Sequence, residues 1–422
     1  MDFSKILLIM NKITRRLFTI LLVVCMVLPT HLQAQNQEEV EAILADINAD
    51  SLLRTVNDLQ NFGSRFALRE GGNREVAEYL VQRLDDYGVP AVIDSFYLSD
   101  HNWIAGDYAQ WFFNVKGVLP AENPKDDSLV LIGAHLDAIA LTPDYMLLNV
   151  APGADDNASG VAVMVELARI CHEKNLHFKR NIHFMAYDGE ELGLLGSKYD
   201  SRVRSDAGEK IAVMLNNDMV SYQPDENWRV TLHWYDNALD VVDLAADLCD
   251  RYTNIQPIIP SVEDNGDARY SDSYAYYLDG FRAVFAIENT FSTSYHTDHD
   301  VLDSNNYNYH ADIARYNMAM LLAFAETDET VDVVENQMGT QARLFPNPTS
   351  ETATLQYRFD VPTTVNIVVT DMMGREVLHQ NEMAVPAGIH HATVNVSDLP
   401  AGLYLCQLRT SQGTQIVKFI RK

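Results

Sequence analysis

The sequence predicts an α/β protein, in which a three-layer α/β/α sandwich around a mostly parallel sheet is followed by a small all-β sandwich. Strand and helix patterns alternate through the first three quarters of the chain, as they do when helices cover both faces of a parallel sheet. After residue 343 the pattern changes to short strands separated by turn signals. At 422 residues, the chain is long enough for two or three such units.

The elements of the first region follow from the spacing of apolar residues. Helical spacing runs over Glu38–Leu59 and Asn73–Tyr87, and Gly88 ends the second helix as a C-cap. Ala91–Leu98 and Trp111–Val118 have the composition and spacing of strands. Strands and helices then alternate, with strands predicted at Ser128–Ala134, Asn181–Tyr187, Ile211–Asn216, Val230–Tyr235 and Ala283–Ile287, and helices at Gly160–Cys171, Glu190–Tyr199, Leu239–Tyr252 and Ile313–Phe324.

The C-terminal region differs from the rest in charge as well as in pattern. The whole chain has a formal charge of -28, whereas residues 343–422 hold seven Lys/Arg and six Asp/Glu. A polar, acidic linker is predicted at residues 331–342, and residues 343–422 are predicted to form the β-sandwich. Its predicted strands are Ala353–Phe359, Thr364–Thr370, Ala392–Val396, Gly402–Arg409 and Thr414–Ile420.

The N-terminus has the three parts of an export signal. Lys12, Arg15 and Arg16 are basic, Leu17–Leu28 is apolar but short for a membrane span, and Leu32-Gln33-Ala34 fits a cleavage site. We therefore predict a signal peptide at residues 1–34, a main domain at residues 35–330, and no transmembrane span in the mature protein.

The net charge and the cysteine content indicate which partners and which covalent links to expect. A chain this acidic repels phosphate backbones, so we expect no nucleic-acid partner. Besides Cys25 in the export signal there are three scattered cysteines with no CxxC spacing. We expect buried free thiols, with a Cys171–Cys249 bridge as the alternative.

Acidic and imidazole side chains follow the predicted strands of the main domain. His135 and Asp137 come directly after one strand and point to the same side of an extended segment, as a metal ligand and its orienting carboxylate would. Four further motifs are Asp155 and Asp156 before a helix, Glu190 and Glu191 after a second strand, Asp218 after a third, and His296 after the last. Each of the five motifs alone also has a structural explanation, such as helix capping for an acidic pair.

Five such motifs at the carboxyl edge of one sheet together predict a single metal centre. The donors are nitrogen and oxygen without thiolate, which suits Zn²⁺ and also Mn²⁺ or Co²⁺. Three carboxylates and two imidazoles exceed the needs of one tetrahedral zinc, so two metals sharing one carboxylate are expected. Of the two adjacent glutamates, one can bind metal while the other takes a proton from water.

These motifs resemble family 28 of the metallopeptidases, which includes bacterial aminopeptidases with two zinc ions and the zinc exopeptidase fold. The resemblance covers about Gln35 to Glu326 and contains all five motifs in order. The matching stretches are AHLD at residues 134–137, PGADDNASG at 152–160, DGEELGLLGS at 188–197, NNDM at 216–219 and YHTDHD at 295–300.

The resemblance implies a role for each residue. His135, Asp156 and Asp218 would bind one zinc, and Asp156, Glu191 and His296 the other, so that Asp156 bridges. Glu190 matches the general base, and Asp137 matches the carboxylate behind His135. The implied activity is removal of N-terminal residues from peptides with a free N-terminus, by a water that the two zincs activate and Glu190 deprotonates.

The chain departs from the family pattern at two places. Ser271-Asp272-Ser273 stands where the family often has Ser-Asp-His, so an imidazole is missing. The transition-state tyrosine of some members aligns near Ala268, with Tyr270 close but out of register. The group that stabilises the oxyanion is therefore unassigned by the resemblance.

The C-terminal module resembles the type A sorting domain of type IX secretion in Bacteroidota. The implied route is export to the periplasm followed by passage through the outer membrane, which makes the secretion machinery a partner and the protein secreted or surface-bound. The matching residues are Phe345-Pro346-Asn347-Pro348, Asp371, Gly374-Arg375-Glu376-Val377, Leu399-Pro400-Ala401-Gly402-Leu403-Tyr404 and the ending Val417–Lys422.

Two other functions remain open at this point. A glutaminyl cyclase-like acyltransferase of the same superfamily, with one zinc, also has a DGEE-like stretch. Those enzymes have Trp-His-Thr at the last ligand, where this chain has Tyr295-His296-Thr297. A receptor-like ectodomain without catalysis is the other alternative, although such proteins have lost ligands that are present here.

Overall fold

The computed structural model describes residues 37–102, 104–122, 124–141, 147–327, 342–359, 362–371, 375–410 and 413–422. The chain divides into two compact units, Met1–Val331 and Asp332–Lys422. The predicted signal at residues 1–34 lies outside the described residues, as does the predicted linker at residues 331–342 apart from Ala342.

The first unit alternates strands and helices, as predicted. Its helices are α1 (37–44), α2 (Ala49–Gln60), α3 (Arg74–Asp86), α4 (Ala158–Glu173), α5 (Leu195–Ala207), α6 (Leu239–Tyr252), α7 (Ser273–Leu278) and α8 (Tyr307–Ala325). Its strands are β1 (Ala91–Asn102), β2 (Gly106–Leu119), β3 (Ser128–His135), β4 (Asn181–Tyr187), β5 (Lys210–Asn217), β6 (Arg229–Trp234), β7 (Gln256–Ile258) and β8 (Ala283–Glu288).

These strands form one eight-stranded sheet in the order β1-β2-β4-β3-β5-β8-β6-β7. The central strands β4, β3, β5 and β8 are parallel, while β2 joins β4, and β6 joins β8, in antiparallel fashion. The α/β fold class is confirmed, with a mixed sheet. The parallel centre matters for the site because it brings the carboxyl ends of β3, β4, β5 and β8 to one edge.

Strand β3 shows how both faces of the sheet are covered. Val130, Ile132 and Ala134 pack into the large core that holds buried residues of α2, α4 and α8. Leu129 and Leu131, which alternate with them, pack into a second core with residues of α7. A strand buried on both faces is a continuous apolar run, and this run is the pattern from which the sequence predicts β3.

Two predicted helices are interrupted in the structure, so those single-helix predictions were wrong. The stretch Glu38–Leu59 turns at residues 45–48, and the Asn48 side chain accepts hydrogen bonds from the first amides of α2. The stretch Glu190–Tyr199 is a single 3-10 turn followed by α5. Gly193 and Leu194 separate the two pieces because both have left-handed backbone conformations, with φ of 110° and 61°.

The second unit consists of antiparallel sheets, as expected for the all-β module. One sheet has the strand order β13-β10-β9 and the other β12-β11-β14-β15, and residues from both share one core. Strands β9 and β12 were not predicted. The strands are β9 (Ala342–Phe345), β10 (Thr352–Phe359), β11 (Thr363–Asp371), β12 (Glu376–Val385), β13 (Gly388–Asn395), β14 (Gly402–Thr410) and β15 (Gly413–Arg421).

The three cysteines of the described chain agree with the sequence analysis. Cys171, Cys249 and Cys406 are buried and free, so the prediction of buried thiols is confirmed. Within the part of the chain that the structure describes, none of the helices is long and apolar enough to cross a membrane.

Candidate metal centre

The five side chains predicted as metal ligands converge at the carboxyl edge of the sheet. His135 is the last residue of β3, and Asp218 directly follows β5. Glu191 lies in the 3-10 turn after β4, Asp156 precedes α4, and His296 lies in the loop after β8. The parallel strands therefore bring together residues that are up to 161 positions apart in the sequence.

The five residues form two groups of three that share one member. Candidate ligand atoms of His135, Asp156 and Asp218 lie within 4.8 Å of one another, and so do those of Asp156, Glu191 and His296. His135 Nε2 is 3.2 Å from Asp156 Oδ1 and 3.2 Å from Asp218 Oδ1. His296 Nε2 is 3.1 Å from Asp156 Oδ2 and 2.9 Å from Glu191 Oε2. The two oxygens of Asp156 thus face different histidines.

Asp137 connects the first histidine to the glutamate turn. The Nδ1 of His135 donates to the backbone carbonyl of Asp137 at 3.2 Å, which leaves Nε2 facing the carboxylates when the ring is neutral. The Asp137 carboxylate accepts hydrogen bonds from the amides of Glu190 and Glu191, at 3.1 and 3.3 Å. It therefore holds the turn that presents both glutamates to the site.

Asp155 has a different environment from its neighbour Asp156. Its buried side chain accepts from the amide of Ser221 at 2.9 Å and from the hydroxyl of the same serine at 2.7 Å. Asp300 accepts from the amides of both Asp155 and Asp156, at 2.9 Å each. Asp155 thus fastens the loop, while the side chain of Asp156 is left to face the histidines.

Arg65 is a buried residue that the sequence analysis did not single out. Its guanidinium donates to the carbonyls of Leu136, at 2.8 Å, and Gly153, at 2.7 Å, and also to that of Pro152. These carbonyls belong to the loop that directly follows His135 and to the loop that carries Asp156. The isolated arginine in a loop left no periodic pattern by which the sequence could have identified it.

The electrostatics of the site are dominated by its carboxylates. Burial alone would lower the pKa of His296, but Glu191 and Asp156 more than offset it and raise the pKa to about 11. Burial also opposes protonation of His135, yet Asp218 and Glu190 raise its pKa well above the usual value. The site thus attracts positive charge.

An unpaired carboxylate oxygen supports the same conclusion. Glu191 Oε1 is buried and has no hydrogen-bond partner among the described residues. A buried carboxylate oxygen is costly unless a partner satisfies it. With its nitrogen and oxygen donors, the group therefore fits divalent cations such as Zn²⁺.

The backbone is strained at two residues of the site. Met219 and His296 have φ of 54° and 55°, a left-handed conformation that non-glycine residues rarely adopt. The amide of Leu141 donates to the carbonyl of His296 at 2.8 Å and supports the strained loop. Strain of this kind concentrates at functional sites, where the surrounding structure enforces it.

A cavity of about 260 Å³ opens beside the two groups. Met219, Phe285 and Ile287 form an apolar cluster on one of its walls. Tyr295 also lines it, with its ring stacked on the imidazole of His296 at 3.7 Å between centroids. Tyr295 was not identified as a site residue from the sequence, although its position next to His296 was a usable signal.

The two departures from the family pattern lie close to the site. Ser271 donates its hydroxyl proton to Asp218 Oδ2 at 2.7 Å, while the Ser273 hydroxyl, in place of the missing imidazole, lies 3.0 Å from that of Tyr235. Ala268 is buried, and Tyr270 lines the cavity but is 74% exposed.

Comparison with known proteins agrees with both resemblances. Residues 114–321 match the model of peptidase family M28, and residues 343–422 match the secretion system C-terminal sorting domain. Among curated proteins, a probable leucine aminopeptidase of Arthroderma otae is 27% identical over 292 residues, which are 65% of this chain and 72% of that protein.

Solved structures show the same fold at lower identity. An aminopeptidase from Aneurinibacillus sp. strain AM-1 is similar with a TM-score of 0.57 and 16% identity, over 69% of this chain and 97% of that one. Porphyromonas gingivalis glutaminyl cyclase is similar with a TM-score of 0.53 and 20% identity, over 65% and 97%. The chain therefore carries a peptidase family M28 domain and a type IX sorting domain, and it is a secreted zinc metallo-aminopeptidase.

Proposed function

We propose that the protein removes N-terminal residues from peptides with two zinc ions that share Asp156. One zinc would be held by His135, Asp156 and Asp218, and the other by Asp156, Glu191 and His296. The observation that supports this proposal is the position of the Asp156 carboxylate, whose oxygens lie 3.2 and 3.1 Å from the two histidines. A single zinc would bind one of the two groups of candidate ligands and leave the other group without a cation.

Glu190 is the proposed general base. Its side chain lines the cavity and makes no hydrogen bond or ion pair to any of the residues that the structure describes. Burial raises its pKa well above the usual value, so it can hold a proton during a reaction. Zinc bound at the two groups would acidify a water molecule and polarise the scissile carbonyl. Glu190 takes the proton of the attacking water and delivers it to the leaving amine.

Tyr295 is the proposed hydrogen-bond donor to the developing oxyanion. Its ring is held against His296, and its hydroxyl lies in the field of Asp156, Glu191, Glu190 and Asp218. Partial burial of the phenol, whose residue is 41% exposed, and these four carboxylates raise its pKa far above the usual value, so the phenol keeps its proton. A proton donor placed where negative charge develops stabilises a transition state.

The apolar wall of the cavity is the proposed binding site for the side chain of the N-terminal residue. Met219, Phe285 and Ile287 offer it a surface that excludes water. The free α-amine of the substrate would lie at the carboxylate-rich end, beside Glu191. A requirement for that amine gives exopeptidase rather than endopeptidase activity.

The general-base proposal is tested by Glu190→Gln. This variant keeps size and polarity but cannot accept a proton, so we expect turnover of a leucyl reporter to fall by about 10²–10⁴-fold. Zinc content and melting temperature are expected to match those of the wild type, with the exposed Glu226→Gln as control. Retained turnover in Glu190→Gln would refute the role.

Two assays on the purified wild-type protein distinguish the aminopeptidase proposal from the glutaminyl cyclase alternative. Release of leucine and of glutamine from nitroanilides is measured beside cyclisation of glutaminyl peptides. The aminopeptidase proposal requires release without cyclisation. Formation of pyroglutamate as the dominant product would replace it, and absence of both activities in zinc-loaded protein would support a receptor-like role.

We also propose the domain organisation set out above, with the signal at residues 1–34, the peptidase at 35–330, a linker at 331–342 and the sorting domain at 343–422. The sorting domain supports passage through the outer membrane. The secretion machinery is then a partner, and peptides outside the cell are the substrates.

A further inference from the structure

The cavity beside the candidate metal centre has a polar end that the reaction does not use. Asp267 and Tyr270 line it together with the apolar cluster of Met219, Phe285 and Ile287. Asp267 belongs to neither of the two groups of candidate metal ligands. Its carboxylate therefore requires a separate explanation.

The turn that carries Asp267 is held firmly. Asp267 lies in the 3-10 helix Asn265–Arg269, where the Asn265 side chain donates to the carbonyl of Trp234 at 2.7 Å. The Tyr235 hydroxyl donates to the carbonyl of Ala268 at 2.6 Å. Since both contacts come from the end of β6 and the residue after it, the turn is positioned by the sheet rather than left to move with the surface.

The Asp267 side chain has no hydrogen bond or ion pair within the described part of the chain. The charge of Asp267 acts on His233, whose ring stacks on Phe285 at 5.3 Å between centroids. Burial lowers the pKa of His233, so this ring is neutral at pH 7 and does not balance the carboxylate. Asp267 thus presents an exposed carboxylate, without an ion pair among the described residues, in the same cavity as the apolar cluster.

An apolar wall that ends in a carboxylate matches a side chain with an aliphatic stem and a cationic end. Lysine and arginine have this composition, and their methylene groups pack on apolar surface while the charged end stays in water. An exposed carboxylate can pair with such a cation at the rim. Among the substrates of an aminopeptidase, N-terminal lysine and arginine would satisfy both parts of this surface.

We propose that Asp267 binds the cationic end of an N-terminal lysine or arginine and widens the substrate range from apolar to basic residues. The inference rests on the proposed aminopeptidase function. It assigns the stem of the substrate side chain to Met219, Phe285 and Ile287, and its charge to Asp267.

The test compares lysyl and norleucyl reporters, which share a straight four-carbon stem and differ in the terminal ammonium group. In the wild type we expect kcat/KM for the lysyl reporter to equal or exceed that for the norleucyl one. In Asp267→Asn the ratio is expected to fall by about five-fold or more, which corresponds to about 1 kcal/mol. The norleucyl value itself should stay unchanged, and added salt should lower the wild-type ratio.

Two controls keep the inference separate from the proposed function. Asp264→Asn removes a carboxylate three positions away that does not line the cavity, and it should leave the ratio unchanged. Binding of lysyl and norleucyl peptides to the Glu190→Gln variant measures the preference without turnover. An unchanged ratio in Asp267→Asn, or an equal fall for both reporters, would overturn the inference, whereas a wild type inactive on every reporter would contradict the function itself.

Discussion

Asp155 and Asp156 are adjacent carboxylates with different environments. The side chain of Asp155 accepts a hydrogen bond from the amide of Ser221, while the two oxygens of Asp156 face His135 and His296. This division explains how one acidic pair serves both the structure of the loop and the candidate metal centre. A similar division separates Glu190, whose side chain makes no hydrogen bond or ion pair within the described part of the chain, from Glu191, which contacts His296 at 2.9 Å.

Tyr295→Phe tests the proposed oxyanion donor. The variant keeps the ring stacked on His296 and removes only the hydroxyl, so we expect zinc content and KM to change little. Loss of one such donor lowers kcat by about 10²–10³-fold in comparable sites. Steady-state kinetics on a leucyl reporter measure it.

The matched control is Tyr270→Phe, in a residue that lines the same cavity but is 74% exposed. Its kcat is expected to stay near that of the wild type. If Tyr295→Phe retains full kcat, another group stabilises the oxyanion.

At the scale of elements, the site depends on loops that the sheet brings together but does not itself join. Arg65 contacts carbonyls in the loops after β3 and before α4, and Asp137 contacts the glutamate turn after β4. Buried carbonyls of this kind need donors, and one planar guanidinium supplies several at fixed angles. Arg65 is therefore a positioning residue for His135, which precedes the first of these loops, and for Asp156 in the second.

Arg65→Lys keeps the charge but replaces the planar fork with a point charge. We expect the affinity for zinc, measured by competition with a chelator, to fall by about 10–100-fold. Arg204→Lys is the control, because Arg204 is also buried but pairs with Asp200 and Glu209. Equal zinc affinities for the two variants would show that Arg65 contributes to stability alone.

The sequence predicts an element well where the spacing of neighbouring residues determines it, and poorly where contacts across the fold do. Asn181–Tyr187 and Leu239–Tyr252 were predicted with their observed bounds because their apolar spacing is continuous. The short helix Ser273–Leu278 was missed, since six residues carry little periodicity. Arg65 and Tyr295 were missed because their importance comes from contacts across the fold, which a single sequence does not contain.

At the scale of the whole molecule, buried histidines tie stability to pH. His310 is fully buried, contacts the carbonyl of Ser159 at 3.0 Å through Nε2, and has a pKa that burial lowers to about 4. Its unfolded pKa is about 6.5, so the unfolded chain binds the proton first as pH falls. The contribution of neutral His310 is present above pH 6.5 and is lost as pH falls toward 4.

His310→Gln is therefore expected to make unfolding less sensitive to acid. For the wild type, the His310 part of the loss between pH 7 and pH 4.5 amounts to about 2–3 kcal/mol. Urea unfolding of the metal-free protein at both pH values measures it without the proton dependence of zinc binding. If wild type and variant lose equal free energies of unfolding, the assignment to His310 is wrong.

The most direct test of the two-zinc proposal is a count of zinc per chain. The purified protein is loaded with zinc, dialysed, and analysed for metal in the wild type and in three variants. We expect two zincs in the wild type, one after His135→Ala or Glu191→Ala, and none after Asp156→Ala. An Asp156→Ala protein that still carries two zincs, or a wild type that carries one, would contradict the shared carboxylate.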